Sequence, residues 1–180
     1  MSFKKIIVSL DDSELSKSVF TRSLEMALVQ GGSLMLFHCL THENLGEPMV
    51  AMPVDLGMSA AAVDYTFVSQ YRHMETQIER GREMLRHYCD TAISQGVPAE
   101  FDFKIGEAGE SLCQLAKSWG ADLVVVGRRG RTGLAEAFLG SVSNYVTHHA
   151  PCSVLVIQHA PESEAEPVAA SSAAEPAVNS

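Results

Sequence analysis

Four glycines and a serine at fixed spacing are the residues of this chain best suited to chemistry. After the apolar run DLVVV the sequence continues GRRGRTGLAEAFLGSVS. This places Gly127, Gly130 and Gly133 in one loop and the pair Gly140-Ser141 at its far end, a G-x2-G-x9-G-S pattern. A glycine just past a strand lets a ligand approach the backbone closely, and further glycines accept φ > 0, so successive N–H groups can face one hollow. Gly140 and Ser141 stand where a helix should open, which adds free amides and a partial positive charge to that hollow. Ser141 and Ser143 offer hydroxyl donors. Arg128, Arg129 and Arg131 bring three of the chain's 13 basic residues within four positions. The chemistry of such a set is capture of an anion, above all a phosphate. A plain surface loop, with turn glycines and Ser141 as an ordinary helix cap, requires neither this spacing nor the arginines.

Other phosphate motifs do not match. A Walker loop places Lys and then Ser or Thr after its last glycine, whereas Gly140 is followed directly by Ser141. No G-x-G-x-x-G follows the first apolar run, so the dinucleotide fingerprint is missing. Asp11-Asp12 resembles the acidic pair of a phosphoacceptor domain, but that reading also needs an Asp ending the third strand and a Lys after the fifth. Here those segments read KIGEAGE and VLVIQHA.

The remaining reactive side chains read as structural. Cys39, Cys89, Cys113 and Cys152 form no C-x-x-C pair and lie in apolar stretches, as reduced core cysteines do. His148 and His149 are adjacent on a predicted helix, about 100° apart, which suits a helix C-terminus better than a shared metal. His38, at the end of a strand, reads as a satisfied core histidine rather than a base. Asp11 and Asp12 have two readings, ribose acceptor or simple helix-start charge.

Strands and helices alternate to position these residues. Lys4 to Leu10, Ser33 to Cys39, Ala99 to Ile105, Asp122 to Val126 and Ser153 to Ile157 read as strands. IIV and LVVV are continuous rather than alternating, as in a parallel sheet covered on both faces. Between them, helical periods open at Ser13 and stop at Gly31-Gly32, run through Phe67, Tyr71, Met74, Ile78, Leu85, Tyr88 and Ala92, span Gly109 to Trp119, and close with Ser141 to His149. Right-handed crossovers make this order a doubly wound α/β domain with five parallel strands. Thr41 to Thr66 lacks clear periodicity and reads as a long loop: mobile, a lid or a partner surface. The apolar fifth strand, if it lies at a sheet edge, needs cover or a second copy paired against it.

The chain has 180 residues, of which 46% are hydrophobic and 19% charged. That suits one domain with a substantial core. The formal charge of −9 argues against a broad nucleic-acid-binding face. No apolar run approaches 18 residues, and the apolar part of the start is too short for a signal peptide, so a soluble cytoplasmic protein without membrane insertion is expected. We divide the chain into a domain over residues 1–158, with 41–66 as its long variable loop, and an acidic tail over 159–180. The tail carries Glu162, Glu164, Glu166 and Glu175 but no aromatic residue, Lys or Arg. It reads as disordered, with a partner-binding peptide as the alternative.

With these residues assembled, the chain resembles the universal stress protein family, in its nucleotide-binding branch. The resemblance covers about residues 3–158 and rests on KKIIVSLDDSE, LFHCL, the G-x2-G-x9-G-S motif and HHAPCSVLVIQ. It implies a Rossmann-like five-stranded sheet, a homodimer, and binding of ATP or another adenine nucleotide. Carried over residue by residue, Asp11, after Ser9 and Leu10, would meet the ribose, and Cys39 would meet adenine through its backbone. Gly127, Gly130, Gly140 and Ser141 would hold the phosphates, with Arg128, Arg129, Val142 and Ser143 beside them. The family often has Gly or an aromatic residue at the position of Asp12. The 41–66 segment and the acidic tail exceed its minimal pattern.

Three functions follow as expectations. The first is an adenine-nucleotide-binding stress-response regulator, a homodimeric sensor or adaptor for an unknown protein partner, with no catalytic residue. The second is a slow ATPase, for which only Asp12 or His38 could position a water. The third is a nucleotide-free interaction module. Magnesium would accompany a triphosphate, though no carboxylate pair can be dedicated to it.

Overall fold

The computed structural model describes residues 2–41, 60–128 and 139–158. In chain order they form β1 (Lys5–Ser9), α1 (Leu15–Gln30), β2 (Ser33–Leu40), α2 (Ala60–Ser94), β3 (Ala99–Ile105), α3 (Ala108–Trp119), β4 (Leu123–Gly127), α4 (Ser141–His149) and β5 (Ser153–Ile157). The five strands make one sheet in the order β3-β2-β1-β4-β5, and every neighbouring pair is parallel.

The continuous apolar strands lie where such strands must lie, in the middle of the sheet with helices on both faces. Ile6, Ile7 and Val8 of β1 are completely buried, and so are Val124 and Val125 of β4. Alternation along each strand separates two cores. Ile6, Val8, Leu34, Leu36, Leu123 and Val125 meet Val19, Phe20 and Leu24 of α1 and Leu85, Cys89 and Ala92 of α2. Ile7, Met35, Phe37, Val124 and Val126 face the other way, against Leu112 and Ala116 of α3 and Val146 of α4. Each fully buried aliphatic side chain contributes roughly 1.5–3 kcal/mol of transfer free energy. Of the twelve large side chains below 2% exposure, nine lie on strands, so the sheet is a main source of stability.

The expected doubly wound α/β architecture is what the chain adopts. β3 and β5 have their expected bounds, while the others differ from expectation by a residue or two at an end. α1 stops at Gly31, whose φ of 59° is left-handed and whose amide caps Ala27 and Leu28. The expected loop over 41–66 requires correction. Residues 60–66 are the first turns of α2, and only residues 42–59 of that segment lie outside the described residues. Ala60-Ala61-Ala62 favours a helix by propensity but supplies no apolar period, so periodicity could not register it. The proposed tail also lies outside the described residues.

α2 reaches the sheet through one close approach. A Cβ on Gly81 would stand 2.8 Å from Cδ2 of His38 and 2.7 Å from Cε2 of Phe103. Only glycine lets the helix pass over these two rings of β2 and β3. The ring of Phe103 also carries the Arg82 guanidinium, 5.6 Å from its centroid.

Candidate functional site

The site grows out of the place where two ladders stop. β1 pairs with β4 only as far as Val8 opposite Val125, two residues before β4 ends at Gly127. On its other side β1 pairs with β2 as far as Ser9 opposite Phe37, while β2 runs on to Leu40. β2 follows β1 on one side and β4 arrives on the other, so the topology switches at β1, and a crevice opens there past the carboxyl ends of the strands.

Cys39 lies on one wall of this crevice. Successive residues of a strand direct their backbone groups to opposite neighbours. The Phe37 carbonyl accepts the Leu10 amide on the β1 side, and the Leu40 carbonyl accepts the Gly106 amide on the β3 side. The N–H and C=O of Cys39 therefore point to the β1 side, beyond the last β1 residue paired with β2. The thiol turns away into the core and donates to the Gly106 carbonyl at 3.5 Å. Burial, reinforced by the Glu107 carboxylate, pushes this thiol up to about 11. It stays protonated at neutral pH and supplies neither a nucleophile nor a metal ligand there.

Asp11 occupies the turn between β1 and α1. Its Oδ1 accepts hydrogen bonds from the Ser13 amide at 3.0 Å, the Ser13 hydroxyl, and the Ser16 hydroxyl at 2.7 Å. Ser16 also accepts the Asp11 amide at 2.8 Å. One carboxylate oxygen thus fixes the turn, while Oδ2 makes no hydrogen bond recorded among the described residues. Asp11 thus braces the start of α1, as the helix-start reading expects. Asp12 beside it is exposed. Ser9 is half-buried, and Leu10 is buried with its amide donated to the Phe37 carbonyl.

The phosphate side differs in two respects from expectation. The Gly140 amide is not open to a ligand, because it donates to the Arg128 carbonyl at 2.8 Å. The Ser143 hydroxyl is buried and faces inward, where the carbonyls of Arg128 and Gly140 lie 2.9 Å and 3.0 Å away. Both groups hold the start of α4 against the end of β4. The first intrahelical bond runs from the Asn144 amide to the Gly140 carbonyl. The amides of Ser141, Val142 and Ser143 are thus the donors that an α-helix cannot satisfy within itself. Ser141 is exposed, with its hydroxyl on the same helix start.

Gly127 and Gly140 do not use left-handed backbone. Gly140 has φ −63° and ψ 162°, and Gly127 is not among the described glycines with positive φ. The Arg128 amide donates to the Ile157 carbonyl, and its guanidinium reaches Gln158 at 3.1 Å. Arg129, Gly130, Arg131 and Gly133 lie outside the described residues.

His38 behaves as the core histidine expected from its sequence position. It is buried, its Nδ1 stands 2.7 Å from the Leu10 carbonyl, and its ring packs tilted against Phe103. A carbonyl only accepts, so Nδ1 carries the proton. His148 and His149 fall in the last turn of α4, where the Nδ1–H of His149 donates to the Tyr145 carbonyl at 2.8 Å. Among the described residues no group of three or more His, Cys, Asp or Glu could hold a metal ion. No helix among them is long and apolar enough to cross a membrane.

Sequence reading missed the bracing roles of Ser16 and Ser143 and the contact of Gly81 with His38. The D-x-S-x-x-S spacing from Asp11 was a readable sign of a side-chain-braced turn. Nothing local marks the other two.

Comparison with known proteins agrees with this architecture. A universal stress protein from Synechocystis, Sll1388, is 41% identical over 159 residues, covering 88% of this chain and all of the relative. A universal stress protein family protein from Arabidopsis thaliana, solved with AMP bound, superposes with a TM-score of 0.59 at 21% identity, covering 88% of this chain and 93% of its own. The universal stress protein from Archaeoglobus fulgidus in complex with dAMP gives 0.56 at 19% identity, covering 87% and 99%. The family model described as universal stress protein family matches residues 2–158, and the chain belongs to that family.

Proposed function

We propose that this protein binds an adenine nucleotide in the crevice beside β1 and acts as a regulator rather than an enzyme. The phosphates lie against the amides of Ser141, Val142 and Ser143, the Ser141 hydroxyl and the open backbone at Gly127. The ribose meets Asp11 through Oδ2, and adenine meets the backbone of Cys39. Arg128, Arg129 and Gly130 complete the phosphate side. The observation that supports the reading most is that the β1 ladders stop short of the ends of β2 and β4, which leaves a crevice at the topological switch beside Asp11, Cys39 and Gly127. Helix-start amides favour anions by their partial charge and their unsatisfied donors together. The AMP and dAMP bound by two structural neighbours belong to the same ligand class.

Hydrolysis finds little support in the residues. Of the two groups able to position a water, His38 is buried with Nδ1 committed to Leu10. Asp12 is the other. Magnesium would reach the site with a triphosphate rather than on carboxylates of its own.

The regulatory unit is a homodimer joined through β5, which among the described residues has a strand neighbour on one side only. Its residues Val154, Leu155 and Val156 are half-buried in the single chain. An unpaired apolar edge invites a second copy. The nucleotide-binding domain spans residues 1–158. The protein works in the cytoplasm as a stress-response sensor or adaptor, and its nucleotide state alters the surface offered to a protein partner.

Mass spectrometry of small molecules released from the purified protein tests the reading. AMP, ADP or ATP in near-stoichiometric amount is the expected result. Release of a different compound class, or of nothing from a protein that also fails to bind added ATP, would refute it.

A further inference from the structure

We propose that His38 is a positioning residue that locks the ribose-binding turn to the adenine-binding strand. The inference rests on the nucleotide reading above and adds to it a coupling between two of its subsites.

Leu10 is clamped to β2 through both its amide and its carbonyl. Its amide donates to the Phe37 carbonyl at 2.8 Å, and its carbonyl accepts the His38 Nδ1–H at 2.7 Å. The next residue in one direction is Asp11, which offers its Oδ2 to the ribose. On β2 the residue after His38 is Cys39, which offers its backbone to the base. The imidazole therefore ties the residue before the ribose acceptor to the residue before the base contact. Backbone pairing would not do this unaided, because the β1–β2 ladder ends at the Leu10 amide and among the described residues no backbone N–H reaches the Leu10 carbonyl. The side chain replaces the missing ladder bond at the point where the strands separate.

The ring is held for this task from two more sides. Phe103 lies against it, with ring centroids 5.7 Å apart. Gly81 leaves room for it under α2, where any Cβ would overlap Cδ2 at 2.8 Å. The protein thus gives up helix-favouring side chains at mid-α2 to keep this imidazole in place. The hydrogen bond is buried, so water does not compete for it.

Loss of the lock should act on sugar recognition more than on phosphate recognition, because Ser141 to Ser143 belong to a different element. The test uses the full-length protein and calorimetric titration with ATP and with 2′,3′-dideoxy-ATP. Wild type is expected to prefer ATP. His38→Leu fills the space without a donor, and should bind ATP about tenfold more weakly while its preference over the dideoxy analogue shrinks. His38→Asn places an amide N–H near the position of Nδ1 and should recover most of both. Gly81→Ala leaves every ligand contact intact but displaces the ring, and should reproduce the His38→Leu pattern; it serves as the test if His38→Leu does not fold. Unchanged ATP affinity and sugar preference in His38→Leu would overturn the proposal, as would equal losses for ATP and the dideoxy analogue in the variants. Failure of wild type to bind ATP would instead overturn the nucleotide reading itself.

Discussion

The Ser143 hydroxyl lies 2.9 Å from the Arg128 carbonyl oxygen, and this contact joins the first turn of α4 to the residue after β4. The same carbonyl accepts the Gly140 amide. Two hydrogen bonds to one carbonyl thereby hold the start of α4 against the end of β4.

Ser143→Ala should accordingly lose stability and affinity together. Removing a buried hydroxyl that bonds a backbone carbonyl costs about 1–2 kcal/mol. Urea denaturation measures the first effect, and titration with ATP the second. A stability loss with unchanged affinity would show that the bond does not orient the amides.

Gly81→Ala runs against the general rule for helices. Alanine in a helix interior is ordinarily better than glycine by ~0.5–1 kcal/mol. Here the added methyl would meet Phe103 and His38 at less than 3 Å. Overpacking of this kind costs about 1–3 kcal/mol, so a net loss of thermal stability is expected. A higher melting temperature would contradict the close approach of α2 to β2 and β3.

Cys39 sets an alkaline signature. Its thiol is raised from an ordinary value of 9.0 to about 11 by burial and Glu107. A raised acid favours the folded state below the unfolded value, and that advantage is lost as pH climbs through the folded one. Between pH 9 and 11 the wild type should therefore lose stability relative to Cys39→Ala, as measured by denaturant midpoints. Parallel pH profiles for the two proteins would contradict a buried, protonated thiol.

Much of the fold is legible in the sequence because parallel strands buried on both faces are written as unbroken apolar runs. IIV and LVVV place β1 and β4 within a residue or two. The helices are legible wherever a face is apolar, and fail to register at Ala60 to Thr66, where propensity acts without period. In the site, Gly140-Ser141 correctly marks a helix start. The partners of Ser143 and His38 are not legible, since a side chain bonding a carbonyl 15 or 28 residues away leaves no local trace. The amide of Gly140 shows the same limit: sequence identifies a free donor, and only packing reveals that Arg128 takes it.

Val156→Pro tests the dimer without dismantling the sheet. The Arg128 amide bonds the Ile157 carbonyl, so by alternation Ile157 faces β4 and Val156 directs its backbone to the open edge. Proline there removes an outward N–H, which an edge strand tolerates. Sedimentation equilibrium should find a wild-type dimer and a folded monomeric variant. A wild-type monomer, or a variant that remains dimeric, would refute pairing through β5.

Calorimetric titration of ATP into wild type, Ser141→Ala and Ser141→Pro tests the central claim most directly. Ser141 is the first residue of α4, where proline is well accepted, and Gly140 at φ −63° and ψ 162° already has the backbone that precedes proline. Alanine removes only the hydroxyl, whereas proline removes the hydroxyl and one helix-start amide from an intact helix. The account predicts saturable binding to wild type, weaker binding to Ser141→Ala, and a further drop of about tenfold in Ser141→Pro at unchanged helix content. Binding to Ser141→Pro as tight as to Ser141→Ala would contradict it.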